Sequence, residues 1–172
     1  MDRSGEILNR LPSGSVIGAE IGVFAGKTSL RLLRREDLVL YMVDNWKPFK
    51  VDGFVATKEM QERNYKTALD NVAFANGRAK IMVSDSVDAA KNILNDSLDF
   101  VFIDANHNYQ SVSEDIETWY PKLKKGALLC GHDYGNNEFD YGMEVIRAVH
   151  DAASRHEWKV EAGEDFTWFV TV

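Results

Sequence analysis

The sequence predicts an α/β fold: a doubly wound, mostly parallel sheet with helices on both faces. Three observations carry that expectation. Apolar runs of strand length alternate with stretches of helical period at least four times, and such alternation builds a parallel sheet joined by helical crossovers. Runs such as Leu38-Val39-Leu40-Tyr41-Met42-Val43 are continuously apolar, as expected of strands covered on both faces. Acids recur where the runs end, at Glu20, Asp44, Asp85, Asp104 and Asp133. One such acid could cap a helix, but five at one sheet edge make a polar crevice where ligands of open α/β sheets bind.

Taken in order, Glu6 to Leu11 reads as a short leading helix stopped by Pro12-Ser13-Gly14. An apolar run from Ser15 leads into Ala19-Glu20-Ile21-Gly22-Val23-Phe24-Ala25-Gly26-Lys27-Thr28. Leu30, Leu32 and Leu33, set among Arg31, Arg34 and Arg35, give an amphipathic helix. Gly22 and Gly26 therefore fall on a tight strand-to-helix turn, where an absent side chain lets a ligand lie against the backbone. The second strand, Leu38 to Val43, ends in Asp44-Asn45-Trp46. Lys47 to Thr57 has no clear period and reads as a lid-like loop, with Phe49 and Phe54 either packing locally or covering a ligand.

Met60, Tyr65, Leu69, Val72 and Phe74 follow helical spacing, closed by Asn76-Gly77. A third strand, Ala79 to Val83, ends in Ser84-Asp85-Ser86, with Ser86 placed to cap a helix carrying Val87, Ala90 and Leu94. The fourth strand, Leu98 to Ile103, ends at Asp104, and Ala105 to Tyr109 form the loop beyond it. Val112, Ile116, Trp119, Tyr120 and Leu123 give a helix whose end carries Lys122, Lys124 and Lys125, favourable to its dipole. Ala127 to Gly131 is a fifth strand running into His132-Asp133. A polar, aromatic segment from Tyr134 to Tyr141 precedes a helix with Val145, Ile146 and Val149. Trp158 to Val160 and Phe166 to Val170 then close the chain as two strands around a turn at Glu161 to Asp165.

Composition narrows the function classes. A chain of 172 residues fits one domain spanning 1–172 with a substantial core. A net charge of -7 argues against a nucleic-acid partner, because neutralising phosphates needs a basic face. The lone Cys130 cannot form an internal disulfide, which suits a reducing cytoplasm. The first residues lack the apolar core of a signal peptide. No apolar run approaches the roughly 20 residues needed to span a bilayer, so no membrane role is expected.

Two ligands compete for the glycine turn. A phosphate-binding loop would use Gly26-Lys27-Thr28, with Asp104 as the magnesium-holding acid of a nucleoside triphosphate hydrolase. That pattern needs four residues between its glycines, and Gly22 and Gly26 are separated by three. Glu20 would also repel phosphates. Its carboxylate suits a ligand with an ammonium group and hydroxyls, which favours S-adenosylmethionine.

The segments Phe102-Ile103-Asp104-Ala105-Asn106-His107-Asn108-Tyr109, Lys125-Gly126-Ala127 and Gly131-His132-Asp133-Tyr134 are the most specific in the chain. With the glycine turn, they resemble the class I S-adenosylmethionine-dependent methyltransferases. Within that class the chain is most similar to a small bacterial group with Ile-Asp-x-x-His-x-Tyr and Gly-x-His-Asp-Tyr motifs. The resemblance runs from about Ser15 to Tyr134 and implies a Rossmann-like sheet of seven strands with an antiparallel last strand. It implies that Glu20, Gly22 and Gly26 receive the methionine half of the cofactor, and that Asp44 binds the ribose hydroxyls. Trp46 would lie on the adenine or ribose, or else pack locally. Asp85 and Ser86 would approach the adenine edge.

Asp104, His132 and Asp133 resemble the cluster that holds a divalent cation in metal-dependent O-methyltransferases. Carboxylates suit magnesium-like hard ions, and a histidine among them shifts the expectation towards manganese, iron or zinc. In the other reading no metal binds and His132 is a catalytic base or supports one. His107, three residues after Asp104, stands where those enzymes carry their catalytic base, and an ordinary imidazole pKa near 6.5 suits that task. His150 and His156 read as surface residues. The expected activity is methyl transfer to a hydroxyl of a small molecule, within a pocket shaped by Lys47 to Thr57 and Tyr134 to Tyr141. At this length partner subunits, as in a homo-oligomer, would complete the site. The rival readings are the hydrolase and an inactive cofactor-binding module, the latter predicting a crevice without a usable base.

Overall fold

Five of the expected strands form the parallel part of one sheet. The computed structural model describes residues 2–51, 54–136 and 142–172. Its elements are α1 (Arg3–Arg10), β1 (Val16–Ile21), α2 (Lys27–Leu32), β2 (Leu38–Asp44), β3 (Phe49–Val51), β4 (Phe54–Ala56), α3 (Lys58–Val72), β5 (Ala79–Val83), α4 (Ser86–Ala90), β6 (Leu98–Ile103), α5 (Tyr109–Trp119), β7 (Leu123–Gly131), α6 (Gly142–His156), β8 (Glu161–Ala162) and β9 (Trp168–Thr171). The seven-stranded sheet has the order β5-β2-β1-β6-β7-β9-β8. The pairs β1–β2, β1–β6, β2–β5 and β6–β7 are parallel, and β9 runs antiparallel to β7. This is the Rossmann-like arrangement the resemblance implied.

Register decides where the chemistry falls. Ile21 pairs with both Val43 and Ile103, and Ile103 pairs with Gly131. Gly22, Asp44, Asp104 and His132 are the residues that follow, so all four emerge at the carboxyl edge. The strand order reverses between β1 and β6, which opens a crevice at that edge.

Side-chain alternation along continuously apolar strands feeds two cores. Ala19, Ile21, Val101, Ile103 and Leu129 pack with Val112, Ile116, Trp119 and Val149 beneath the helices α4 to α6. Phe100, Phe102, Met42 and Cys130 pack on the opposite face with Ile7, Leu32, Leu33 and Ala68, from α1, α2 and α3. Burial of both strand faces is the physical content of the unbroken apolar runs.

The structure revises several local expectations. Lys47 to Thr57, expected as a loop, contains the antiparallel pair β3–β4, although residues 52 and 53 lie outside the described residues. Helix α4 is five residues long, and Leu94 lies beyond it, 79% exposed. Asp85, not Ser86, occupies its N-cap position. The Ser86 hydroxyl instead accepts a hydrogen bond from Trp119 Nε1 at 2.8 Å. The closing strand forms at Glu161–Ala162, in the stretch expected to turn. Trp158 is held against the helices by rings of His156 and Tyr120, at 4.3 and 4.7 Å between centroids. Of the Tyr134 to Tyr141 segment, residues 137–141 lie outside the described residues. Among those described, no helix is long and apolar enough to cross a membrane.

Candidate active site

The site begins with the turn after β1. Gly22 has φ +89°, and a Cβ there would lie 2.1 Å from the carbonyl oxygen of Asp104. Gly26 has φ +72°, and its Cβ would lie 3.0 Å from Ala68 Cα of α3. At these two points the absent side chains make room for the protein's own backbone. That differs from the sequence expectation of a ligand lying against them. The close crossing is secured by Asp104 N donating to Ile21 O at 2.7 Å and Gly22 N donating to Val43 O at 2.9 Å.

Asp44 holds the turn from the neighbouring strand. Its Oδ2 accepts from Val23 N at 3.0 Å and Phe24 N at 2.8 Å, and its Oδ1 accepts from Trp46 N at 2.8 Å. Two amides that a phosphate-binding loop would offer to phosphate are therefore engaged by a carboxylate, which removes the physical basis of the hydrolase reading. A carboxylate has about four acceptor positions, so Asp44 keeps capacity for one further donor. Trp46 is only 9% exposed. Its Nε1 donates to Phe24 O at 2.8 Å and its ring meets Tyr65 at 4.7 Å. Asp85 lies further along the edge, where Lys47 at 2.5 Å and Asn45 at 2.6 Å hold its carboxyl below the usual range.

Glu20 is buried at the end of β1, where its carboxylate accepts a hydrogen bond from the Ser29 hydroxyl. Burial pushes its pKa up to about 8, opposed by Ser29 and reinforced by the charges of Asp104 and Asp44. Because this folded-state value lies above that of the unfolded chain, stability is full below about pH 4.5 and is lost as pH rises towards 8. Thermal unfolding between pH 5 and 8 is expected to show this decline, and Glu20→Gln is expected to flatten it. An equally steep decline in Glu20→Gln would assign the dependence to another group.

Beyond Glu20, acids and imidazoles converge from three directions. Asp133 follows β7 in a left-handed conformation, φ 58°. Its Oδ1 accepts from Asn136 Nδ2 at 2.7 Å, while its Oδ2 faces His132 Nδ1 at 3.0 Å and His107 Nε2 at 2.9 Å. Asp104 Oδ1 lies 3.6 Å from His107 Nε2 and 3.7 Å from His132 Nδ1. Arg3 of α1 donates from Nη1 to Asp104 Oδ2 at 2.7 Å and from Nε to Asp165 Oδ2 at 3.1 Å. Burial alone would lower the His107 pKa, but Asp104 and Asp133 outweigh it and raise the value to about 9. Burial likewise opposes ionisation of Asp133, yet His107, His132 and Asn136 hold its carboxyl well below the usual carboxylate range. His132 is itself buried, and its Nε2 has no hydrogen-bond partner among the described residues.

The backbone around this edge is strained. Phe24, Trp46, Asp133, Asp165 and Phe166 all have positive φ, which concentrates at functional sites because the surrounding structure must enforce it. Asp104, His107 and Asp133 bring one ligand atom each within 4.8 Å of one another. This grouping has the mixed oxygen and nitrogen character expected from the sequence, with His107 where His132 was anticipated. Sequence reasoning misses Arg3, Asn136 and Asp165. Asn136 carries a signal, standing three residues after Asp133. Arg3 and Asp165 arrive from distant chain segments and carry none. A cavity of about 490 Å³ opens at the opposite, amino edge, between Arg10, Lys124, Lys125 and Phe169, and none of the residues converging at the carboxyl edge lines it.

A family model described as a methyltransferase domain matches residues 19–134. No curated protein matches the chain. Several solved structures share its fold. Cofactor-bound Rv0187 from MTB has a TM-score of 0.71 at 16% identity, over 98% of this chain and 78% of that one. The O-methyltransferase TomG from Streptomyces achromogenes, involved in tomaymycin synthesis and solved with S-adenosylmethionine, scores 0.67 at 17% identity, over 98% and 77%. The O-methyltransferase NovP scores 0.66 at 16% identity, over 98% and 75%.

Proposed function

The chain belongs to the methyltransferase-domain family, and we propose that it methylates a hydroxyl of a small molecule at the carboxyl-edge crevice. It is an S-adenosylmethionine-dependent methyltransferase. The acceptor class follows the O-methyltransferases TomG and NovP, whose fold it shares. The observation that carries the mechanism is the His132–Asp133 pair. With its proton on Nδ1, His132 donates to Asp133 Oδ2 at 3.0 Å, which fixes the ring, as a carboxylate does for a catalytic histidine, and makes the buried Nε2, 4.0 Å from Asp165 Oδ1, its acceptor end.

When bound, the cofactor supplies a methyl group on a positively charged sulfur. His132 Nε2 would take up the proton that an acceptor hydroxyl loses as its oxygen is methylated. Asp104 and the Glu20 carboxyl, an acceptor even when protonated, would hold the methionine ammonium beside the turn of Gly22 and Gly26. Asp44 keeps an acceptor position for a ribose hydroxyl, and Trp46 braces the turn beneath it. Asp85 and Ser86 would stand at the adenine end. Alignment of the two reactants supplies most of the rate enhancement.

The mixed donor set of Asp104, His107 and Asp133 also fits a divalent cation of the manganese, iron or zinc type. Such a cation would supply Lewis acidity to the acceptor oxygen. His132 then orients through Asp133 as before, and His107 would have to give up its proton to serve as a ligand.

The direct test is thermal unfolding with S-adenosylhomocysteine. At a hundredfold excess over its dissociation constant, native-state binding adds about 2.7 kcal/mol, which for a chain of this size raises the midpoint by about 5–10 °C. Stabilisation by ATP and not by S-adenosylhomocysteine would overturn the reading.

A further inference from the structure

We infer that Arg3 binds the carboxylate of the cofactor's methionine half, with α1 as the rigid arm that presents it. The inference rests on the proposed cofactor site, and it concerns a residue that precedes the stretch matched by the methyltransferase model, residues 19–134.

A methionine moiety brings an ammonium and a carboxylate on one carbon atom. The crevice offers an abundance of groups for the ammonium: Glu20 at the end of β1 and Asp104 at the end of β6. A carboxylate placed among those acids requires a cation beside them. Lys47 is held by Asp85 at 2.5 Å, towards the other end of the edge. His107 faces Asp133 at 2.9 Å, on the β7 side. Lys27 is exposed at the start of α2, whereas Arg3 is a cation at the end of β6, between Asp104 and Asp165. Its guanidinium contacts Asp104 directly, and its charge reaches Glu20 strongly enough to counter part of that group's upward pKa shift.

The geometry leaves a face of the guanidinium available. Nη1 and Nε are engaged by Asp104 and Asp165, and Nη2 has no side-chain acceptor among the described residues. A planar fork with donors to spare suits a carboxylate. The helix that carries Arg3 is anchored at its start and along one face. Asp2 caps α1 by accepting from Gly5 N at 3.0 Å, and it also pairs with Arg31 of α2. Ile7 and Ser4 of α1 are buried against the body of the protein. Arg3 is therefore held in place by packing, which lowers the entropy lost on forming a ligand contact.

The test compares S-adenosylhomocysteine with its decarboxylated analogue, which keeps the amine, by calorimetric titration of the full chain. In the wild-type protein, removal of the carboxylate is expected to weaken binding about 10- to 100-fold, the usual weight of a charged hydrogen bond. Arg3→Gln is expected to weaken S-adenosylhomocysteine by a similar factor and to leave the decarboxylated analogue within about threefold, so that the two losses do not add. Arg3→Lys is expected to restore part of the affinity. Equal weakening of both ligands in Arg3→Gln would make Arg3 a structural brace and overturn the inference. Unchanged or tighter binding of S-adenosylhomocysteine would make it a plug or a contact for an acceptor, and would overturn the inference equally. If the wild-type protein binds neither compound, the cofactor reading itself fails and the role of Arg3 fails with it.

Discussion

His132→Asn lowers methyl-transfer turnover about 10²–10⁴-fold, the span lost when a positioned general base is removed, while S-adenosylhomocysteine affinity stays within a few-fold. Asparagine keeps the hydrogen bond to Asp133 but has no basic nitrogen where Nε2 stood. The sequence alone favours His107 for this role, because it follows Asp104 by three residues. In the folded protein two carboxylates raise the His107 pKa to about 9, so at neutral pH its ring already carries the proton that a base must accept. Its positive charge instead neutralises Asp104 and Asp133. His107→Asn is accordingly expected to cost less turnover than His132→Asn and to disturb the Asp133 side of the crevice. The measurement is steady-state turnover of both variants with a hydroxylated acceptor, alongside calorimetric binding. Full activity in His132→Asn, combined with its loss in His107→Asn, would return the base to His107.

Gly22→Ala removes about 3 kcal/mol or more of stability, a large part of the roughly 5–15 kcal/mol that holds a native domain. Two independent costs coincide at this position. A non-glycine residue at φ +89° carries about 1–2 kcal/mol of backbone strain. The added Cβ would also stand 2.1 Å from Asp104 O, so β1 and β6 must separate, at the roughly 1–3 kcal/mol typical of overpacking. Gly77→Ala separates the two terms, since Gly77 has φ +83° with nothing within 4 Å of its Cβ. Urea unfolding should place Gly77→Ala near 1 kcal/mol and Gly22→Ala well beyond it, with Gly26→Ala between them. Equal losses at Gly22 and Gly77 would mean that the strand crossing yields without cost. Since the same crossing carries Asp104, Gly22→Ala is also expected to abolish cofactor binding in whatever protein remains folded.

The five parallel strands, their direction and the acidic edge are legible in the sequence because each depends on local pattern, whereas the short antiparallel strands β3, β4 and β8 are not. Leu38 to Val43 is apolar at every position because both its faces are covered, and that requirement is written residue by residue. Glu20, Asp44 and Asp104 stand at strand ends, and parallel pairing brings strand ends together whichever strands are neighbours. The partnerships at that edge are not legible, because they depend on strand order and on backbone conformations imposed from a distance. Asp85 lies on β5's side of the sheet and keeps company with Lys47, whereas Asp133, on β7's side, meets both histidines. The contact of Arg3 with Asp104 joins residues 101 positions apart, and no periodicity records it. The resemblance offers Asp44 as a ribose ligand, and only the fold reveals that three backbone amides reach it first. Which chemical groups stand at the carboxyl edge is thus written in the chain alone, since strand length and burial pattern are local. Which of them are charged, and which is poised to accept a proton, depends on burial and neighbouring charges that exist only once the chain has closed around them.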